Sequence, residues 1–225
     1  QFHDRSKIMM GILPTGTVPH EPKQRLSSVF WSLPSHQLNS FLHNSQAHSD
    51  WLNQVSKRWK PAADWLEQVI AQPEQKSQWL TANYRDVVLS KFGEGRIGVM
   101  GDAAHAMSPQ LGQGANMALL DAWALGQAVQ SARKNEALDY VQLWQTYHQH
   151  RQSSTAFYQF LSRLLTPLYQ SDLWWAGGLR DLSFAWMYRI PYFRKEMAVT
   201  ISGLKLGMFS QMNYRDIAKQ NNHSV

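Results

Sequence analysis

One stretch limits what this chain can fold into more than any other. A short apolar run, Arg96 to Met100 (RIGVM), stops on Gly101-Asp102. The sequence GDAAHAMSPQLGQGANMALLD follows, from Gly101 to Asp121. The run reads as a strand and the segment after Gly114 as a helix, predicted from Gly114 to about Arg133 and apolar on nearly every side, hence buried. A glycine at a strand end lets a ligand or another backbone come close. Asp102 follows at once, and α/β folds place ligand contacts at the carboxyl ends of strands. A carboxylate there can accept hydrogen bonds from sugar-like hydroxyls. Between strand and helix, Pro109, Gly112 and Gly114 put little bulk in a ligand's way. Gly114 and Ala115 then open a helix whose first N–H groups have no partner within it, and its dipole favours an anion or an electron-rich carbonyl.

The rest of the chain has room for this unit. Its 225 residues are 44% hydrophobic, enough for one large domain or two small ones. Ten tryptophans point to large buried aromatic surfaces, a cleft or an interface. Lys7 to Leu13 reads as a strand closed by Pro14-Thr-Gly16, and Leu26 to Leu33 as a second one closed by Pro34. They would pair antiparallel across a long connection. Helical spacing follows from Ser35 to Leu80, with Trp51, Leu52, Val55 and Trp59 on one face. Pro61 would start a further helix and Pro73 end it. Tyr84 to Phe92 is a predicted strand, and Gly93-Glu-Gly95 a turn. Beyond the central helix, Ala137, Val141 and Trp144 mark one face of a long helix. Phe157, Phe160, Leu161, Leu164 and Leu165 continue it to Pro167, and two more helices flank Pro191.

The strand, Gly-Asp, small-residue loop and helix together resemble the second flavin-binding motif of the para-hydroxybenzoate hydroxylase-like (class A) FAD-dependent monooxygenases. Gly-Asp-Ala-Ala-His, then Pro109, then Gly-Gln-Gly-Ala-Asn, then Asp121 stand at that family's spacing. The likeness extends more weakly upstream, through Gly11 to Gly16, the FWSLP strand end and Tyr84-Arg85-Asp86. It implies an α/β two-domain flavoprotein fold, α+β within this chain alone. Residues 1–92 would be part of the substrate-domain sheet and helices, 93–133 the C-terminal part of the FAD-binding domain, and 134–225 a C-terminal helical region. It implies that Gly101 is among the cofactor-binding residues, that Asp102 binds the ribityl chain and that Pro109 lies along the isoalloxazine. Gly112, Gln113, Gly114, Ala115 and Asn116 would border its pyrimidine edge. The implied reaction is reduction of FAD by NAD(P)H, addition of O2 at flavin C4a, and hydroxylation of a small, aromatic organic substrate by the hydroperoxide. Flavin-fold reductases, halogenases, quinone-pathway hydroxylases and non-catalytic interaction modules that have lost FAD remain alternatives on the same fold. No residue is assigned as catalytic acid or base, because the flavin performs the oxygen transfer.

Two signatures of that family are not present in usable form: the N-terminal Gly-x-Gly-x-x-Gly and the central Asp-Gly. A literal Gly-x-Gly-x-x-Gly runs from Gly93 to Gly98, but it precedes and enters a strand instead of following one into a helix, so it reads as a hairpin turn. The chain, which starts at Gln1, is therefore expected to belong to a longer protein whose N-terminal half grips the ADP end. His105 is expected to be structural. The histidines show no metal-ligand spacing, and there is no cysteine, which fits a cytoplasmic location. Of the net charge of +6, residues 151–225 hold nine basic and four acidic side chains. The basic residues are scattered, which argues against nucleic acid. The basic, aromatic tail with Trp174, Trp175, Trp186 and Tyr188 leaves peripheral membrane contact open, with ordinary helix packing preferred. Met107, Leu111 and Trp31 are candidates to line a small-molecule pocket.

Overall fold

The computed structural model describes residues 2–4, 8–18, 20–70, 80–82, 84–134, 137–171, 173 and 175–213. The chain forms two compact units, one of Gln1–His3 with Lys7–Asn83 and one of Asp4–Ser6 with Tyr84–Val225. The architecture mixes helices with small antiparallel sheets, as the sequence implies.

The first unit is built on a sheet ordered β1 (Phe2–Asp4), β2 (Ile8–Val18), β3 (Glu21–Trp31). β2 and β3 pair antiparallel in the register Met10↔Trp31. The expected long connection is not there. β2 runs through Pro14 and Gly16 to Val18, and β3 starts at Glu21, so a tight turn at His20 (φ 72°) joins them. The ladder absorbs Pro14, which has no N–H to give, at a register shift between Pro14 and Gly16. A Cβ on Gly11 would lie 2.4 Å from the tip of the Phe30 ring, which would have to shift to admit it.

Three helices complete this unit: α1 (Ser35–His43), α2 (Ser45–Arg58) and α3 (Lys60–Ile70). The Asn44 side chain caps α2 by accepting from the Gln46 N–H at 2.9 Å. Trp51 and Val55 face inward at helical spacing, as expected, and join Met10, Phe41, Ala62, Ala63 and Leu66 in one core. Trp51 meets both Trp31 and Phe41 edge to face, at centroid distances of 5.8 and 5.7 Å. Pro73 lies outside the described residues.

The second unit holds the Gly101 segment. Tyr84 to Phe92 is not a strand: no strand of the described residues runs beside it. Its backbone is satisfied differently: Val87 N–H donates to the Ala106 carbonyl at 2.9 Å, and the Gln159 side chain donates to the Val87 carbonyl at 2.5 Å. The predicted strand from Arg96 to Met100 shrinks to a hairpin, β4 (Gly93–Glu94) with β5 (Ile97–Gly98), turning through Gly95 at φ 55°. The Gly93–Gly98 pattern is thus a turn. The indole of Trp144 explains two of its glycines. Cβ atoms at Gly93 and Gly98 would come within 2.4 and 2.0 Å of that ring, and the indole N–H donates to the Gly95 carbonyl at 2.9 Å.

Two long helices dominate this unit, α5 (Gly114–Ala132) and α6 (Tyr140–Tyr169), with a short α4 (Asp102–His105) before them. A hairpin of β6 (Arg133–Lys134) and β7 (Ala137–Leu138) joins α5 to α6. Ala137 is therefore in a strand and not on the long helix, which starts behind Asp139, whose carboxylate accepts from the Gln142 N–H at 3.0 Å. α5 follows its predicted span but is not buried all round. One stripe, Met117, Asp121, Ala124, Ala128 and Ala132, is buried, while Leu119 is 70% exposed. Alanines four apart let α6 approach closely.

α6 departs from its expected face. Leu143, Tyr147, Arg151, Ser154, Tyr158 and Ser162 are buried at helical spacing, whereas Phe160 and Leu164 are exposed. The helix also continues past Pro167 to Tyr169. A proline in the last turn forfeits one N–H bond but does not forbid the end of a helix, and the Ser171 hydroxyl donates to the Pro167 carbonyl at 2.6 Å. α7 (Ala176–Arg189) and α8 (Pro191–Ile201) flank Pro191 as expected. Among the described residues, no helix is long and apolar enough to cross a membrane.

Candidate cofactor-binding site

The Gly101 turn is set from behind. Gly101 has φ 59° and ψ −141°, a conformation that L side chains avoid. Its carbonyl accepts from the N–H groups of Ala104 and His105 at 2.9 and 3.0 Å, which starts α4. Its N–H donates to Asp121 Oδ2 at 2.7 Å. The same oxygen lies 2.6 Å from His105 Nε2, and since a carboxylate only accepts, the imidazole N–H donates. Asp121 Oδ1 accepts from Arg151 Nε, also at 2.6 Å. Arg151 in turn donates to Ser154 Oγ at 2.7 Å and to the Met117 carbonyl at 3.3 Å.

Asp121 is fully buried and Arg151 is 1% exposed, so this is a dry, charge-paired network. Burial alone would raise the Asp121 pKa. The hydrogen bonds from His105, Arg151 and the Gly101 backbone outweigh it and hold the carboxyl below its ordinary value. Burial and the adjacent Asp121 charge push the Tyr147 hydroxyl above its ordinary value. His105 is thus a structural partner of Asp121.

In front of this network lies an exposed edge. Asp102, Pro109, Gly112, Gly114 and Ala115 are all exposed. Pro109–Leu111 forms a single 3-10 turn that Gly112 ends at φ 61°. The Ser162 hydroxyl donates to the Ser108 carbonyl at 3.1 Å and ties this loop to α6. A Cβ built on Gly112 would meet nothing within 4 Å, and one on Gly114 would meet only Asp102 Oδ1, at 3.8 Å. The Asp102 carboxylate therefore sits beside the first residue of α5. The ladder of α5 begins with Met117 N–H to the Gln113 carbonyl at 2.9 Å, so the N–H groups of Gly114, Ala115 and Asn116 precede it. Gln113, the residue before the helix, makes no capping bond to them. Among the described residues these N–H groups have no acceptor, so an acceptor for hydroxyls and a row of open donors share one exposed edge.

Two of the predicted residues point elsewhere. Gln113 is buried, and its amide donates to the carbonyl of Ile201 at 2.8 Å and of Leu111 at 3.2 Å. Asn116 donates to Gln113 Oε1 at 3.1 Å. Arg151, Tyr147, Ser154 and Ile201 lie outside the motif that the sequence shows. A signal for the first three existed, because Tyr147, Arg151, Ser154 and Tyr158 recur at the spacing of one helix face. Met107 and Leu111 are half-buried in the same loop. In the tail, Trp175, Trp186 and Tyr188 are exposed, and Trp186 packs on Phe193 at 6.1 Å between centroids, while Trp174 lies outside the described residues.

The FAD binding domain family matches residues 37–157, more than half of the chain. The chain belongs to this family of FAD-dependent monooxygenases. It is 30% identical over 115 residues to the chloroplastic zeaxanthin epoxidase of an Oncidium hybrid cultivar, covering 48% of this chain and 17% of that protein. It is 32% identical over 107 residues to the zeaxanthin epoxidase of Solanum lycopersicum, covering 45% of this chain and 16% of that protein. The matched part thus spans about a sixth of these relatives. The fold is similar to that of the tetracycline destructase Tet(51), with a TM-score of 0.53 at 17% identity, over 94% of this chain and 50% of that one.

Proposed function

We propose that this chain is the flavin-gripping C-terminal part of a monooxygenase that uses FAD, NAD(P)H and O2 to oxygenate a small organic, aromatic substrate. The observation that carries the reading is the pairing of Asp102 with the bare amino end of α5 across a glycine edge. The residues fit the flavin end of FAD. The open sides of Gly112 and Gly114 leave room for a flat ring, Asp102 would accept from ribityl hydroxyls, and the donors of Gly114 and Ala115 would meet the oxygen and nitrogen acceptors of a pyrimidine edge. Bound FAD supplies the reduction by NAD(P)H, the activation of O2 and the transfer of one oxygen atom. The protein's part is to hold and shield it. Pro109, which has no N–H to compete, would line the ring. The amino end of α5 would stabilise the negative charge that develops on the ring on reduction. Asp121 and Arg151 hold the Gly101 turn in place from behind.

The likeness to zeaxanthin epoxidases favours a second form of the same reaction, in which the oxygen is added to a carbon–carbon double bond. The test is oxygen incorporation by the protein expressed from its natural gene start. With NAD(P)H, isotopically labelled O2 and a panel of phenols and alkenes, one labelled oxygen per product is expected, with NAD(P)H consumed in step. Substrate reduction without label would instead mark a reductase, and halide-dependent product a halogenase.

A further inference from the structure

Gln113 was expected to border the flavin, yet its side chain is spent on the other side of the loop. It is the residue before α5, the position next to the helix's free N–H groups, but its backbone is already helical and its side chain caps none of them. Instead its amide nitrogen donates to the carbonyl of Ile201 at 2.8 Å and to that of Leu111 at 3.2 Å, and its oxygen accepts from Asn116. Ile201 is the last residue of α8, so its carbonyl is one of those a helix leaves without an internal partner.

The carboxyl end of α8 is itself firmly held. The Tyr158 hydroxyl, on buried α6 surface, donates to the Thr200 carbonyl at 2.9 Å. Gly203 breaks the helix at φ 75°, and a Cβ there would lie 3.2 Å from Asn116 Cβ. Beyond it the buried Lys205 pairs with Glu196 on α8 and donates to the Met208 carbonyl at 3.3 Å. Tyr158 thus pins the end of α8 to α6, and Gln113 pins the start of α5 to the end of α8.

We infer that Gln113 is a positioning residue, held by the Ile201 carbonyl so that it anchors the first turn of α5 and leaves that turn's N–H groups open to the flavin. The inference rests on the flavin reading above. Its consequence is that the C-terminal turn, far from the cofactor loop in sequence, sets how strongly α5 stabilises negative charge on the ring. Released, the loop drifts or the Gln113 amide swings forward to cap α5, and either change weakens the helix end as a flavin contact.

The experiment uses the protein expressed from its natural gene start, with Gln113→Ala, Tyr158→Phe and the double variant. FAD affinity and the flavin midpoint potential are measured beside thermal stability. Each single variant is expected to raise the FAD Kd about fivefold to tenfold, the effect of one lost hydrogen bond. Each is also expected to lower the midpoint potential, because the reduced, negatively charged flavin loses more than the oxidised one. The double variant should be no worse than the weaker single one, since both break one linkage. Tyr158→Phe keeps the ring and its packing, so it decides the matter if Gln113→Ala fails to fold. Unchanged affinity and potential in a folded variant, or effects that multiply in the double variant, overturn the inference. A wild-type protein that takes up no FAD removes the flavin reading itself and the inference with it.

Discussion

Arg151 reaches from the middle of α6 to place its Nε 2.6 Å from the carboxylate of Asp121, and neither side chain touches solvent to any extent. Asp121 spends its other oxygen on Gly101 and His105. Two charges taken out of water are costly even when paired, and far more so when one loses the other. Asp121→Ala or Arg151→Ala alone should therefore destabilise the fold by about 3–5 kcal/mol, because each strands a buried partner. Replacing both by apolar residues of similar volume should cost markedly less. Chemical denaturation of the three variants checks this, and equal losses in all three would contradict it.

The same carboxylate sets a response to acid. Its folded pKa lies below the ordinary value of 3.8, so the unfolded chain binds its proton first as pH falls. The contribution is complete above 3.8 and disappears as pH drops through the lower, folded value. Denaturation midpoints followed below about pH 4 should fall steeply in the wild type. Asp121→Asn should be less stable throughout, with a shallower acid slope. An unchanged slope would mean that other carboxylates dominate.

Trp144 provides a separate check on the second unit. Its indole fills the space that side chains at Gly93 and Gly98 would need and holds the Gly95 carbonyl. Gly98→Ala should cost about 1–3 kcal/mol, the usual range for overpacking, and break that hydrogen bond. In a Trp144→Ala background the same change should be nearly neutral. Thermal melts of the two singles and the double decide it.

Asp102 should behave in the opposite way to Asp121. It is exposed, so Asp102→Ala should leave stability within about 0.5 kcal/mol of wild type. Loss of a charged acceptor for ribityl hydroxyls should still weaken FAD binding at least tenfold, from about 1.5–3 kcal/mol for such bonds. Titration with FAD, read by flavin fluorescence, separates the two. Equal affinity in the variant would move the ribityl contact off Asp102.

Much of this was legible from residue types. The Gly101–Asp121 spacing predicts a loop and a helix starting at Gly114, and the structure has both, whereas the strand expected to run into Gly101 ends at Gly98. Pattern alone could not find what needs a neighbour. Tyr84 to Phe92 has strand composition, but a strand is made by its partner, and the described residues supply none. Arg151 and Tyr158 were passed over because the apolar Phe160 and Leu164 looked like the inner face of α6, when the polar stripe is the one that packs. Gln113 belonged to the motif, but its bond to Ile201 spans 88 residues and has no local signature.

The central claim is that this chain completes a flavin site, and the visible absorbance of the protein expressed from its natural gene start tests it most directly. The account predicts a yellow protein with flavin bands, about one FAD per chain on release, and a marked loss of colour with Asp102→Ala. A folded protein that stays colourless even when supplied with FAD would contradict it.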